Sequence, residues 1–262
     1  MGILQLFIIH SYFAYLPHPP DLLILYYIMS TKTVSLKVSD GTEMRAYVSM
    51  PEGKGPFPGV IVFQEAFGVN PHMRNVTDRI AKEGYVAIAP ELFHHSAPAG
   101  AEFPYGDFAP IMPHFQAITV EGLSADVTAC YDWLKEQPEV IHSKLGTIGF
   151  CLGGRVSFLA NTLLPFSACI SYYGGSTHLL ADKANDIHAP HLFFWGGLDE
   201  HILPEHVETV IDAMKKAEKP FINVVISYAD HAFNCNDRPA YNPDAAKEAW
   251  AMSMAFFKNK LG

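Results

Sequence analysis

Positive charge is in short supply in this chain. Eighteen lysines and arginines face 27 aspartates and glutamates, for a formal net charge of −9. No basic run stands out, so nucleic acid and anionic lipid are poor partners. Cysteine is scarce too, with only Cys130, Cys151, Cys169 and Cys235. None forms a C-x-x-C pair, which argues against zinc-ribbon and thioredoxin-like folds. A chain of 262 residues buries enough core to need no covalent staples. Reduced thiols and a cytoplasmic location are therefore expected. Internal repeats, coiled-coil heptads and low-complexity tracts are also missing.

Long apolar runs are confined to the beginning. "MGILQLFIIHSYFAYL" is 16 residues long, short for a membrane span, and "PHPP" interrupts it before "DLLILYYI". No basic n-region or small-residue cleavage site marks a secretory signal. Gly2 follows Met1, but Leu6 breaks the myristoylation pattern. The expectation is that translation begins at Met29. Residues 1–28 would then be an extension outside the fold, and 29–262 the domain, with no membrane partner.

What is present is a regular alternation. "TVSLKVSD" and "TEMRAYVSM" alternate apolar and polar residues around Asp40-Gly41, a hairpin signal. "PGVIVFQE" (58–65) reads as a buried strand. A helix follows, capped by Asn70, opened by Pro71 and ended by Gly84, with Met73, Val76 and Ile80 as its apolar stripe. "YVAIAPEL" is a strand, 93–113 a long loop, and roughly 117–136 a helix with Val120, Leu123, Val127 and Trp133 at helical spacing. Strands at "KLGTIGF", "SACISYYG", "PHLFFWGG" and "FINVVISYAD" then alternate with helices at 152–163, 204–218 and 243–260. Such alternation predicts the α/β class, with a mostly parallel central sheet and helices on both faces.

One turn in this series carries chemistry. "GFCLGGR" (149–155) is G-x-S-x-G with cysteine in place of serine, between a predicted strand and a predicted helix. That is the setting of a nucleophile elbow. The helix N-terminus favours an anion, and the thiolate is the attacking form of cysteine. A small buried cysteine in a glycine-rich turn is the plainer reading, and the downstream residues argue against it. Asp199 in "GGLDEHI" and His231 in "ADHAFN" each follow a predicted strand, in the order acid then histidine. His231 would take the proton of Cys151, and Asp199 would orient the ring. Glu200, Asp186, His188, His191, His201 and His206 are read as surface or core residues, and Asp230 as a turn cap. His94-His95 and His201/His206 invite a metal reading. The second pair is five apart, poor for one helix face, so no metal is expected.

With these residues placed, the chain resembles the dienelactone hydrolase family over most of Thr31–Leu261. The likeness lies in "QEAFGVN", "GYVAIAPELF", "GFCLGG", "GGLDEHI" and "ADHAFN". The resemblance implies an α/β-hydrolase fold, no cofactor, and hydrolysis of small lactones or esters through an acyl-thioester. It makes Glu65 the glutamate that contacts the resting thiol, and the N–H groups of Ala66 and Leu152 the oxyanion hole. The partner implied is a small-molecule substrate, and the expected assembly is a monomer or small homo-oligomer. A carboxylesterase or thioesterase on the same scaffold is the alternative, and a non-catalytic binding protein a more distant one. There is one departure. Where family members carry two arginines that hold a substrate carboxylate, this chain reads "FHHSAP" and "HAFNCNDR", leaving His94, His95, Arg238, Arg155 or Arg74 as substitutes.

Overall fold

In a computed structural model, residues 29–262 are described. The predicted extension, 1–28, lies outside them. Among the described residues, eight strands form one sheet: β1 (Met29–Lys37), β2 (Glu43–Pro51), β3 (Phe57–Phe63), β4 (Val86–Pro90), β5 (Val140–Phe150), β6 (Ala168–Tyr172), β7 (His191–Gly196) and β8 (Phe221–Ile226). Their spatial order is β1-β2-β4-β3-β5-β6-β7-β8. The β1–β2 and β2–β4 pairs are antiparallel and the other five parallel. The hairpin turns at Asp40-Gly41, where Gly41 takes the positive φ that the turn demands.

Six helices among the described residues cover the sheet: α1 (Pro71–Lys82), α2 (Met112–Gln116), α3 (Val120–Glu136), α4 (Leu152–Leu163), α5 (Pro204–Lys216) and α6 (Pro243–Leu261). Helix α1 begins as its sequence dictates, with the Asn70 side chain accepting from the Met73 N–H at 3.1 Å. Its stripe of Met73, Val76 and Ile80 is fully buried. On the α1 side of the sheet, Arg79 stacks on Trp250 of α6 at 3.7 Å. Helices α3 and α4 pack against each other and share β3 and β5. This is the α/β-hydrolase fold.

Three sequence readings change. Val120 is exposed at the first position of α3, which Thr119 caps. The long loop is broken by α2, which has no buried residue and so no apolar stripe to announce it. A 3-10 helix at Thr177–Asp186 fills a stretch that carried no element signal.

The chain reverses direction across the sheet between β3 and β5. It runs outward from β3 to β4, then returns to place β5 on the other side of β3. Open α/β sheets bind ligands beyond the strand carboxyl ends at such a switch point. Glu65 and Ala66 follow β3 there, and Cys151 follows β5.

Candidate active site

Cys151 occupies the single residue between β5 and α4, with φ 53° and ψ −113°. A non-glycine residue rarely adopts such a backbone, and holding it costs of order 1–3 kcal/mol. The turn closes only because its neighbours lack side chains. A Cβ on Gly149 would meet the Gly153 carbonyl, and one on Gly153 the Phe63 carbonyl of β3. The Cys151 N–H donates to the Tyr172 carbonyl at 3.0 Å, which ties the elbow to β6.

The three predicted residues meet. His231 Nε2 lies 3.2 Å from Cys151 Sγ, and His231 Nδ1 lies 2.7 Å from Asp199 Oδ2. The other carboxylate oxygen, Oδ1, accepts from the N–H groups of His201 at 2.8 Å and Ile202 at 3.0 Å. The carboxylate is thus fixed from both ends. Asp230 caps the turn, its Oδ1 accepting from the His231 N–H at 2.6 Å. His191 is a core residue, fully buried within β7.

Electrostatics favour a charged histidine. Burial works against the imidazolium, but the Cys151 sulfur and the Asp199 carboxylate outweigh it and lift His231 to about 10. Burial also opposes ionisation of Asp199. The His231 ring and the two loop N–H groups prevail and hold its carboxyl below the usual value. The arrangement suits a thiolate–imidazolium pair braced by a carboxylate.

Glu65 is fully buried beside this pair. Its Oε1 accepts from the Tyr173 hydroxyl at 3.3 Å, while Oε2 has no hydrogen-bond partner. The sulfur faces His231, and the hydrogen bond of Glu65 goes to Tyr173 rather than to the thiol. The Tyr173 ring also lies 5.1 Å from the His231 ring. Tyr173 was missed in the sequence, although "SYYGG" places it just past the end of β6, where site residues gather. Ala66 and Leu152, the expected oxyanion donors, follow β3 and open α4 respectively. The first N–H groups of a helix have no intrahelical acceptor, so that of Leu152 is free to serve a ligand.

The substitute cations differ in their commitments. Arg74 is tied to Glu102 at 2.5 Å and to the Val69 carbonyl at 2.6 Å. His94 hydrogen-bonds Asp126 at 2.8 Å, and His95 sits 3.6 Å from both Asp126 and Asp40. Two arginines remain by the site. Arg155, one turn along α4 from Cys151, is half-buried, and Arg238 lies over the Phe67 ring at 5.3 Å.

The sequence model of the Dienelactone hydrolase family matches residues 44–261. The chain belongs to the dienelactone hydrolase family. An Escherichia coli O157:H7 protein named "Putative carboxymethylenebutenolidase" is 35% identical over 238 residues, 86% of this chain and 85% of its own length. The "Carboxymethylenebutenolidase" of Pseudomonas putida is 32% identical over 178 residues, 67% of this chain and 74% of its own. A solved structure from Klebsiella pneumoniae subsp. pneumoniae MGH 78578, a "Putative Dienelactone Hydrolase", superposes with a TM-score of 0.80 at 32% identity. It covers 88% of this chain and 99% of its own. As a dienelactone hydrolase family member, the protein is a hydrolase acting on ester bonds. Among the described residues no helix is long and apolar enough to cross a membrane.

Proposed function

We propose that this family member hydrolyses small lactones or esters with Cys151 as its nucleophile and an acyl-thioester as its intermediate. The observation that carries the reading is His231, which touches Cys151 on one ring nitrogen and Asp199 on the other. The sulfur, as thiolate, attacks the ester carbonyl carbon. The carbonyl electron pair moves onto oxygen, where the N–H groups of Ala66 and Leu152 receive the negative charge. Collapse breaks the carbon–oxygen bond, and the leaving oxygen takes the Nε2 proton of His231. Water then gives a proton to Nε2 and attacks the thioester. The second collapse releases the carboxylic acid and restores the thiolate and imidazolium. In a lactone the leaving oxygen stays on the acyl chain, so one acyclic product results.

Glu65, fully buried and held by the Tyr173 hydroxyl, is the carboxylate that would contact the sulfur once that hydrogen bond is given up. Arg155 and Arg238 are the cations for a substrate that bears a carboxylate. Intact-mass spectrometry after mixing with p-nitrophenyl acetate tests the mechanism. One acetyl group should appear on Cys151 and none on Cys151→Ala, with turnover reduced by several orders of magnitude in that variant. Unchanged turnover in Cys151→Ala would overturn the reading.

A further inference from the structure

A second cluster lies away from the triad, where the segment following β4 crosses α3. His94 Nε2 is 2.8 Å from Asp126 Oδ1, and His95 Nε2 is 3.6 Å from the same oxygen. The two imidazole rings are neighbours, with centroids 3.8 Å apart and planes tilted by 40°. One ligand atom from each of the three residues falls within 4.8 Å of the others. Asp126 is fully buried, and its Oδ2 has no hydrogen-bond partner. An unpaired carboxylate oxygen in a protein interior is costly and calls for a cation.

We propose that His94, His95 and Asp126 form a binding site for a divalent transition-metal ion of the zinc type. Two imidazoles and one carboxylate are a donor set suited to zinc, and not to magnesium or calcium, which take oxygen ligands. Ligands about 2.1 Å from one tetrahedral or near-tetrahedral ion stand roughly 3.0–3.6 Å apart, so the two Asp126 separations need little adjustment. The expected outer partner is present as well, since Asp40 Oδ2 lies 3.6 Å from Nδ1 of His95. Metal-bound histidines commonly hold a carboxylate on their second nitrogen. A route in also exists. A cavity of about 500 Å³ reaches Asp126 and His95 past the exposed residues Asp40, Thr119 and Glu121. Water from this cavity would complete the coordination.

Chain-local spacing argued against a metal, and Asp126, 32 residues beyond His94, is invisible to it. The bound ion would pin the segment after β4 onto α3. That segment also reaches toward the catalytic loop, through the Leu92 N–H that donates to Gln64 Oε1 at 3.1 Å.

The test uses the full chain, treated with chelator, in the Cys151→Ser background, so that the catalytic thiolate cannot compete for metal. Zinc is titrated by calorimetry and melting is followed with and without it. One equivalent should bind and raise Tm, because a ligand that prefers the folded state stabilises it. His95→Ala should weaken binding at least tenfold and abolish the Tm rise. Since the His95 side chain is partly exposed, the fold should tolerate that change. Asp40→Asn should weaken binding about tenfold or more, as outer-partner losses do. Failure of zinc to bind, or binding that His95→Ala leaves unchanged, would overturn the proposal. Failure of the acyl-enzyme experiment would leave this site untouched, since it shares no residue with the triad.

Discussion

His231 is raised by two neighbours, and each can be removed separately. Cys151→Ser takes away the larger of the two raising charges. In the variant the His231 ring should titrate well below its wild-type value of about 10, as followed by NMR of the imidazole protons. A ring that titrates identically in both proteins would mean that the sulfur carries no charge at rest. Asp199→Asn should lower kcat by roughly a hundred- to ten-thousandfold, because the amide favours the wrong ring tautomer and cannot balance the imidazolium. The fold of this variant should survive, since the amide oxygen of the new side chain can still accept from the His201 and Ile202 N–H groups.

At the scale of elements, the decisive contact is the approach of α4 to β3. Gly153→Ala would drive a methyl group into the Phe63 carbonyl, whereas a Cβ on Gly175 meets nothing within 4 Å. Gly153→Ala should therefore cost about 1–3 kcal/mol in urea unfolding, while Gly175→Ala stays near neutral. It should also lower kcat, because the shift moves the Leu152 N–H relative to Ala66. The start of α4 is held from behind as well. Asn161 donates to Nδ1 of His191 at 3.2 Å, and Nε2 of His191 reaches Ser171 Oγ at 2.8 Å. Ser171 in turn donates to the Gly154 carbonyl at 2.6 Å. Much of this level was legible in the sequence. Period-two alternation, buried apolar runs and the Asn70 cap each act over a few residues, so strands and most helices could be read locally. The meeting of Cys151, Asp199 and His231 could be expected because each lies within five residues of a strand's carboxyl end. The His191 chain, the Tyr173–Glu65 hydrogen bond and the His94–Asp126 pair were not, because each joins residues far apart in sequence. The 3-10 helix escaped because it has no lasting apolar period.

For the whole molecule, two buried histidines set the pH range of stability. Burial depresses His191 to about 3, so it is neutral in the fold. A depressed group contributes stability that is present above its ordinary value of 6.5 and is lost as pH falls toward about 3. His231 is raised, so its contribution is present below 6.5 and is lost as pH rises toward about 10. Asp199, depressed below 3.8, adds a further loss at lower pH still. Urea unfolding across pH should peak near 6.5 and fall on both sides, by up to about 1.4 kcal/mol per pH unit for each proton linked. Cys151→Ala should flatten the alkaline side alone. A stability profile level from about pH 4 to about pH 10 would contradict both assignments.

The order of the strands has a consequence for synthesis. Cys151 leaves the ribosome 80 residues before His231. The central strands β3, β4 and β5 are all made by then, and the elbow can form between β5 and α4. Yet the nascent protein holds a cysteine without its imidazolium. His231 arrives on the edge side of the sheet, after β8, and α6 follows it to close a face of strands made long before. Chains stalled on the ribosome before residue 231 should ignore an electrophilic ester mimic, and chains stalled after α6 has emerged should capture it. On the proposed mechanism, reactivity is thus withheld until translation is nearly finished, and truncated products carry Cys151 without the reaction.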